Sequence, residues 1–166
     1  MKKWKLGLVS IMGIVFSLTA CANANDDTKA LNKQIETKQE VTVKPTANKQ
    51  FKLRDHVDLL GLIVTFEKAT YLQDDKGDKN GVLQIAMNVE NNSAVTRGFT
   101  TIDMEIKDKD GKKLAIYPSE NLGEKIEAGM KVKGAGYFKV NGNGPYTIIY
   151  KDQDSDIKAS WKVEVK

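Results

Sequence analysis

The last ten residues of the chain alternate strictly between apolar and polar side chains. An apolar side chain stands at every second position from 157 to 165, and the positions between them are mostly charged. Successive side chains of a β-strand point to opposite faces of the sheet, so this pattern predicts a strand with one face in a core and the other in water. The predicted core face consists of Ile157, Ala159, Trp161, Val163 and Val165.

The same period of two recurs in shorter segments upstream. Leu62, Val64 and Phe66 alternate, and the phase then slips, which predicts a β-bulge at residues 67–68. Residues 108–111 end in Asp-Gly, the signal of a tight hairpin turn. Further strands are predicted at residues 83–89, 102–106, 114–117, 132–140 and 146–150.

About seven short strands with no convincing long helix predict an all-β fold, an antiparallel β-sandwich at residues 51–166. A domain of about 116 residues is long enough to bury roughly two thirds of the surface of its unfolded chain. Cys21 is the only cysteine. The core therefore has to hold without an internal disulfide.

Three stretches of this region carry a resemblance to known proteins. They are residues 60–66 (LGLIVTF), 85–93 (IAMNVENNS) and 128–134 (AGMKVKG), the last leading into 137–140. They resemble the immunoglobulin-like domains of unknown function found in many Gram-positive lipoproteins, which are similar in fold to a secreted mycobacterial immunogenic antigen. Members often carry proline where this chain has Ala128. The resemblance implies an exported, immunoglobulin-like sandwich domain with no established reaction.

Residues 1–20 have a different pattern from the rest of the chain. Lys2, Lys3 and Lys5 precede an apolar run at residues 6–18 that only two serines interrupt. A helix of about 13 residues spans about 20 Å, short of the roughly 30 Å of a bilayer core. The segment is therefore interpreted as a signal peptide and not as a transmembrane helix.

This segment ends in Leu18-Thr19-Ala20-Cys21. The four residues resemble the lipobox of bacterial lipoproteins, in which an aliphatic residue and two small residues precede a cysteine. The resemblance implies cleavage before Cys21, a diacylglyceryl group on its sulfur, and attachment to the outer face of the cell membrane. Two acyl chains hold a protein on a membrane far more firmly than one. The alternative is an ordinary secretory signal in which Cys21 is incidental.

Residues 21–50 are interpreted as the lipidated cysteine and a flexible tether. The stretch is rich in Asn, Lys, Thr, Gln and acidic residues, with only scattered aliphatic ones. Such a composition cannot bury enough apolar surface to offset the entropy lost on ordering. The alternative is that residues 41–43 (VTV) form a first strand of the sandwich. The expected organisation is thus a signal peptide at 1–20, a tether to residue 50 and the sandwich domain after it.

The net charge gives no reason to expect a nucleic-acid partner. The whole chain has 26 basic and 22 acidic residues, a formal charge of +4. Three of the basic residues lie in the predicted signal peptide, so the mature protein is close to neutral. A near-neutral protein has no long-range electrostatic attraction for a polyanion.

Residues for catalysis are sparse. His56 is the only histidine and lies in a charged stretch, where it is interpreted as a surface side chain beside carboxylates. No serine lies in a nucleophile-elbow pattern, and one histidine with one lipidated cysteine cannot form a zinc site. The chain is therefore not expected to be an enzyme or to bind a cofactor. An envelope hydrolase with paired carboxylates is the least favoured alternative, since such a pair leaves no sequence signature.

Two acidic loops are the candidates for a metal. Asp152, Asp154 and Asp156 alternate as the first three ligands of a calcium loop do, but the glycine and glutamate that such a loop also needs are missing. The second loop, residues 74–81, has lysines between its acids. Both loops are typical of solvated hairpin turns, and calcium at the three aspartates is the alternative interpretation.

Tyr146 and Tyr150 flank a strand that is apolar on both sides. This is normal for a central strand covered on both faces, whereas at a sheet edge such a strand would offer a surface to another chain. Asn141 and Asn143 lie in the adjacent loop, at an end of the sandwich where immunoglobulin-like folds carry recognition. These four residues are the candidate binding surface.

Together these features predict a membrane-anchored extracytoplasmic protein whose sandwich binds a protein or a component of the cell envelope. A surface or spacer lipoprotein without a specific ligand is the structural alternative.

Overall fold

The computed structural model describes residues 41–46 and 48–165. The predicted signal peptide, the lipobox with Cys21 and the tether up to residue 40 lie outside the described residues. A 3₁₀ turn at Thr101–Asp103 separates β6 from β7. The strands are β1 Thr42–Val43, β2 Gln50–Phe51, β3 His56–Leu59, β4 Leu62–Leu72, β5 Val82–Asn91, β6 Arg97–Thr100, β7 Met104–Lys107, β8 Gly123–Ile126, β9 Lys131–Lys139, β10 Tyr146–Lys151 and β11 Lys158–Val163.

These strands form two facing sheets and a smaller ladder. One sheet has the order β1-β3-β4-β5-β9, the other has the order β2-β11-β10-β7, and β6 pairs with β8 separately. The neighbours are antiparallel except for the parallel pairs β1–β3 and β2–β11. The predicted all-β sandwich is confirmed. The described residues form eleven strands, whereas the sequence predicts about seven. The additional strands are short ones at the sheet margins, and they have too few residues to show an alternating pattern in the sequence.

The core lies between the two sheets and is centred on Trp161. The Trp161 ring, on β11, is 4.7 Å from the ring of Phe66 on β4 and 5.7 Å from that of Phe51 on β2, measured between centroids. Ala159, Trp161 and Val163 are all buried, as the alternation of the last segment predicts. Large aromatic side chains contribute much of the buried apolar area of a core, and here one tryptophan joins both sheets.

Residues before the predicted boundary at Phe51 also pair with the two sheets. Val43 pairs with Val57 in the parallel β1–β3 ladder, and Gln50–Phe51 pairs with β11. Phe51 is buried against Trp161. The alternative in which residues 41–43 contribute a first strand therefore agrees with the structure, because a buried aromatic at Phe51 holds the residues before it against the sheets.

Local predictions have mixed outcomes. The β-bulge at residues 67–68 is confirmed, since the register of β4 against β5 shifts there. Ile102, predicted to start a strand, lies in the 3₁₀ turn and is 67% exposed. The Thr100 hydroxyl accepts a hydrogen bond from the Ile102 amide (3.2 Å) and favours the turn. Residues 114–117 form one isolated bridge, between Ile116 and Phe138, instead of a returning strand.

Residues 115–122 instead cover the outer edge of β9. The amide of Lys139 donates to the carbonyl of Ala115 (2.7 Å), and the amide of Leu122 donates to that of Ala135 (2.9 Å). An uncovered edge strand presents unpaired backbone groups to other chains. The cover removes the longest edge of the sandwich as a site for strand addition.

The turns gather at two ends of the sandwich, as the antiparallel registers require. One end, here called the apolar end, is formed by residues 60–61, 92–96, 127–130 and 152–157. The opposite end, here called the polar end, is formed by residues 73–81, 108–113 and 140–145.

Candidate functional site

Tyr146 and Tyr150 lie in the core. Both are 0% exposed, and their strand β10 is central, with β7 on one side and β11 on the other. The interpretation of these two tyrosines as a binding surface is wrong, and the alternative of a covered central strand is correct. The Tyr146 hydroxyl donates to the carbonyl of Gly142 (2.9 Å) and lies 3.0 Å from the hydroxyl of Tyr71. Burial raises the pKa of both core tyrosines, because it disfavours the phenolate.

Asn141 and Asn143 are exposed in the turn 140–145 at the polar end. The amide of Lys109 donates to the carbonyl of Asn143 (3.1 Å), so a neighbouring turn holds the backbone of this loop. The structure therefore places the two asparagines on the surface, whereas both tyrosine rings are buried. A binding role for them stays a prediction.

The structure does not assemble Asp152, Asp154 and Asp156 into a calcium site. Asp152 and Asp154 both bind Arg97, whereas Asp156 is paired with Lys151 (2.8 Å) on the surface. The hydrogen bond from Lys151 holds the pKa of Asp156 below its ordinary value. Within residues 41–46 and 48–165, no group of three or more His, Cys, Asp or Glu side chains could hold a metal ion. The three carboxylates instead neutralise cations of the protein.

Arg97 is the centre of a polar cluster at the apolar end. Its Nη2 donates to Oδ1 of Asp152 (2.6 Å), its Nε to Oδ2 of Asp154 (2.8 Å) and its Nη1 to the carbonyl of Leu60 (2.9 Å). The arginine side chain is 8% exposed and that of Asp152 is 0% exposed. Ser155 Oγ donates to the second oxygen of Asp152 (2.7 Å). The guanidinium thus connects the turn between β3 and β4, in one sheet, to the turn between β10 and β11, in the other.

Sequence reasoning missed Arg97. The available signal is that arginine is rare in this chain: Arg54 and Arg97 stand among lysines. The planar guanidinium can bind two carboxylates and a carbonyl at once, which a lysine ammonium does less well. An isolated arginine in a lysine-rich chain is therefore a candidate for a position that needs several fixed hydrogen bonds, which Arg97 is, whereas Arg54 is exposed.

Leu60 lies in an unfavourable position of a tight turn beside this cluster. Leu60 and Gly61 connect β3 to β4 and have φ angles of 55° and 89°. Positive φ at both central residues characterises the type I′ turn, for which Asn-Gly is strongly preferred. A leucine Cβ is crowded in this left-handed region. Because the side chain is 59% exposed, burial in the core does not offset the strain.

Val95 and Met130 are exposed on the turns 92–96 and 127–130, at the same end of the sandwich as Leu60. Their exposed fractions are 62% and 61%. Asn91 joins the two turns, since its Nδ2 donates to the carbonyl of Val95 (2.7 Å) and its amide donates to that of Met130 (2.9 Å). A shallow depression of about 260 Å³ is lined by Leu60, Val95 and the Arg97 cluster. Three apolar side chains are therefore held on rigidly connected turns.

The two ends of the sandwich differ in what they expose. Three of the six exposed large hydrophobic side chains of the described residues lie at the apolar end, and the polar end has none. Of the other three, Ile102 lies in the turn Thr101–Asp103, which is hydrogen-bonded to the turn 152–157 through Asp103 and Gln153, whereas Val41 and Ile116 lie elsewhere. Single exposed hydrophobic residues need no explanation, but adjacent ones mark candidate interaction surfaces. The apolar end is therefore the candidate functional site.

His56 lies outside this site. Its Nδ1 is 3.1 Å from Oγ1 of Thr65 on the neighbouring strand β4. Thr65 is 2% exposed, so a substrate cannot approach its hydroxyl. A nucleophile has to be accessible as well as hydrogen-bonded to its base. The His56–Thr65 pair therefore joins two strands and does not form a site for covalent catalysis.

Comparison with protein-family models gives no match, and neither does comparison with curated proteins. The described part of the chain contains no helix with the length and hydropathy needed to cross a bilayer.

Solved structures do match this chain. The yjhA protein of Bacillus subtilis has a TM-score of 0.55 at 19% identity, over 69% of this chain and 100% of that one. The ycdA protein of Bacillus subtilis, provisionally described as a lipoprotein, has a TM-score of 0.53 at 20% identity, over 62% of this chain and 36% of that one. The secreted Mycobacterium tuberculosis protein MPT63 has a TM-score of 0.44 at 13% identity, over 74% and 98% of the two chains. The two Bacillus likenesses show a shared β fold.

Proposed function

We propose that this chain is a lipid-anchored, extracytoplasmic protein whose immunoglobulin-like β-sandwich binds a protein or another component of the cell envelope and catalyses no reaction. The observation that carries the binding role is the apolar end, where Leu60, Val95 and Met130 are exposed on turns fixed by hydrogen bonds. Exposed hydrophobic side chains that lie together on a folded domain are typical of protein interaction surfaces.

The anchoring role rests on the N-terminal pattern. A basic segment, a short apolar run and Leu18-Thr19-Ala20-Cys21 follow one another in the order that lipoprotein signals have. A single cysteine in an exported protein has no internal disulfide partner, and acylation would give its sulfur a role. The fold shared with a Bacillus protein provisionally described as a lipoprotein agrees with this proposal.

Replacing Cys21 with serine tests the anchor. We expect Cys21→Ser to abolish incorporation of a radiolabelled fatty acid and to move the protein from the membrane fraction to the medium or to an unprocessed precursor, because serine has no thiol to acylate. Fatty-acid labelling and cell fractionation measure the two effects. Ser10→Ala, in the apolar run, is the matched control and should leave both unchanged. Retention and processing of Cys21→Ser at the level of the unsubstituted chain would refute the anchor.

A further inference from the structure

We infer that the partner of the apolar end is a protein that presents an apolar depression bordered by basic side chains. This inference rests on the proposed binding function and adds the chemistry of the partner. It is carried by the composition of the apolar end, the charges around it and the strained turn at Leu60.

The shape and composition of the apolar end favour an apolar counter-surface. Leu60, Val95 and Met130 project from turns and are each exposed by about three fifths, at 59, 62 and 61%. Burial of such side chains against another apolar surface removes them from water and is favourable. A polysaccharide offers hydroxyl groups where these aliphatic side chains need apolar contact. Projecting side chains fit a depression in another protein.

Three carboxylates lie in or beside the turns that carry these side chains. Asp58 accepts from the amide of Gly61 (2.6 Å), and Glu127 accepts from Thr96 (2.9 Å) in the turn that carries Val95. Asp154 remains 59% exposed after it pairs with Arg97.

Arg97 itself is nearly buried and shares its charge between two carboxylates, so it adds little positive charge to the surface. Lys131, which follows Met130, is the exposed cation closest in sequence to the three apolar side chains.

This charge distribution selects among partners. An anionic membrane attracts apolar side chains that are flanked by lysine and arginine, and it repels carboxylates. A second copy of the chain would bring the same carboxylates against each other. A protein with basic residues around an apolar depression complements both the apolar side chains and the carboxylates.

The turn at Leu60 supports a role beyond folding. A type I′ turn is most stable with asparagine or glycine at this position, yet the chain has an exposed leucine with a φ of 55°. Departures from local preference in which the side chain gains no burial in the core are expected at functional positions. The exposed leucine gains a compensating contact only when a partner buries it.

Photo-cross-linking in intact cells tests this inference on the full chain. A photoreactive amino acid is placed at Val95 at the apolar end, and at Val41, which is 74% exposed on the side of the sandwich, as the control. Captured proteins are identified by mass spectrometry, purified and titrated against the purified full chain. We expect a protein captured from position 95 and not from position 41, with an affinity that falls as salt concentration rises.

Substitutions then locate the contact. We expect Leu60→Asn and Met130→Asn each to weaken the affinity for the captured protein at least tenfold, and Glu127→Lys to weaken it as well. Val41→Asn should leave the affinity unchanged. Leu60→Asn should keep or raise the thermal unfolding midpoint, since asparagine suits the turn, which separates loss of binding from loss of folding.

The remaining outcomes overturn the inference. Cross-links from position 95 to lipid alone, to a second copy alone or to nothing exclude the proposed partner, as does an affinity that Leu60→Asn and Met130→Asn do not change. A protein captured from position 41 alone would leave the proposed binding function intact and refute only the assignment to the apolar end. Capture from neither position would remove the binding function, while membrane retention of the same chains reports separately on the anchor.

Discussion

At the scale of single residues, Arg97 and Asp152 have the largest expected influence on stability. Their side chains form a 2.6 Å ion pair and are 8% and 0% exposed. Both charges have lost their hydration. The ion pair is therefore stable only because the two groups are close together and well oriented for hydrogen bonding. Removal of one partner leaves the other buried without compensation, whereas an exposed ion pair is worth about 0–1 kcal/mol.

Arg97→Met is therefore expected to lower the free energy of unfolding by about 3–5 kcal/mol, since it leaves the Asp152 carboxylate buried without a cation. Denaturant unfolding at pH 7 measures the change. Lys151→Ala, which breaks the exposed pair with Asp156, is the matched control and should cost at most about 1 kcal/mol. The double substitution with Asp152→Asn should recover part of the loss. Equal effects of Arg97→Met and Lys151→Ala would contradict this account of the cluster.

The hydroxyl of Tyr150 is an exception to the rule that buried polar groups are hydrogen-bonded. It is buried and has no hydrogen-bond partner among the described residues, while the ring packs 4.9 Å from that of Phe99. Burial raises the pKa of Tyr150 above its ordinary value. The folded state therefore holds the proton more tightly than the unfolded state, so the contribution to stability is complete below about pH 10 and is lost as pH rises further.

Tyr150→Phe should consequently change the unfolding free energy at pH 7 by less than about 1 kcal/mol, because it removes a hydroxyl that makes no bond. Above pH 10 the variant should lose stability less steeply than the unsubstituted chain, with part of the remaining slope due to Tyr146, whose pKa burial also raises. Unfolding curves between pH 7 and pH 12 test this. A steeper alkaline slope in the variant would exclude Tyr150 as a source of the pH dependence.

At the scale of elements, the segment 115–122 keeps β9 from presenting an open edge. Asn121 fastens it: its Oδ1 accepts from the amide of Tyr137 (2.9 Å) and its Nδ2 donates to the carbonyl of Tyr117 (2.9 Å). The Asn121 side chain thus makes hydrogen bonds to the backbone of its own segment and to that of β9. These bonds replace some of those that a regular strand paired with β9 would make. The predicted strand at 114–117 is thus replaced by a loop that serves the same purpose.

Asn121→Ala is expected to loosen this cover without unfolding the domain. Amide hydrogen exchange should become at least tenfold faster at Tyr137, Lys139 and Leu122, and slow association through the exposed edge of β9 should follow. Exchange at Val89, on the central strand β5, is the internal control and should not change. Unaltered exchange at all these positions would mean that the backbone bonds of residues 115–122 hold the edge without Asn121.

At the scale of the whole molecule, the sandwich has two ends of opposite character on one framework. The polar end is built from Asp, Asn, Gly and Lys in turns that satisfy their own backbone, as when Asp74 accepts from the amides of Lys76 (3.0 Å) and Asp78 (2.9 Å). The apolar end exposes Leu60 and Val95 above a buried ion pair. Of the two ends, the apolar end is the one with hydrophobic area to offer to the partner that we propose.

The sequence by itself determined the fold class and the core face of the long strands. Trp161 and Val163 are buried and Lys162 is exposed, as the alternation predicts. Successive side chains of a strand point to opposite faces of the sheet, so the buried side chains recur at every second position. The N-terminal pattern likewise predicts export and acylation at Cys21, since those signals are local and read from the chain itself.

Only the tertiary structure decided which turns meet. Leu60, Val95 and Met130 are far apart in sequence and lie in turns that carry no shared pattern, and they come together because antiparallel registers bring their strand ends to one side. The same holds for Arg97 and Asp152, which come from the β6–β8 ladder and the turn after β10. Long-range pairing follows from how two sheets close over a common core, and no local period records it.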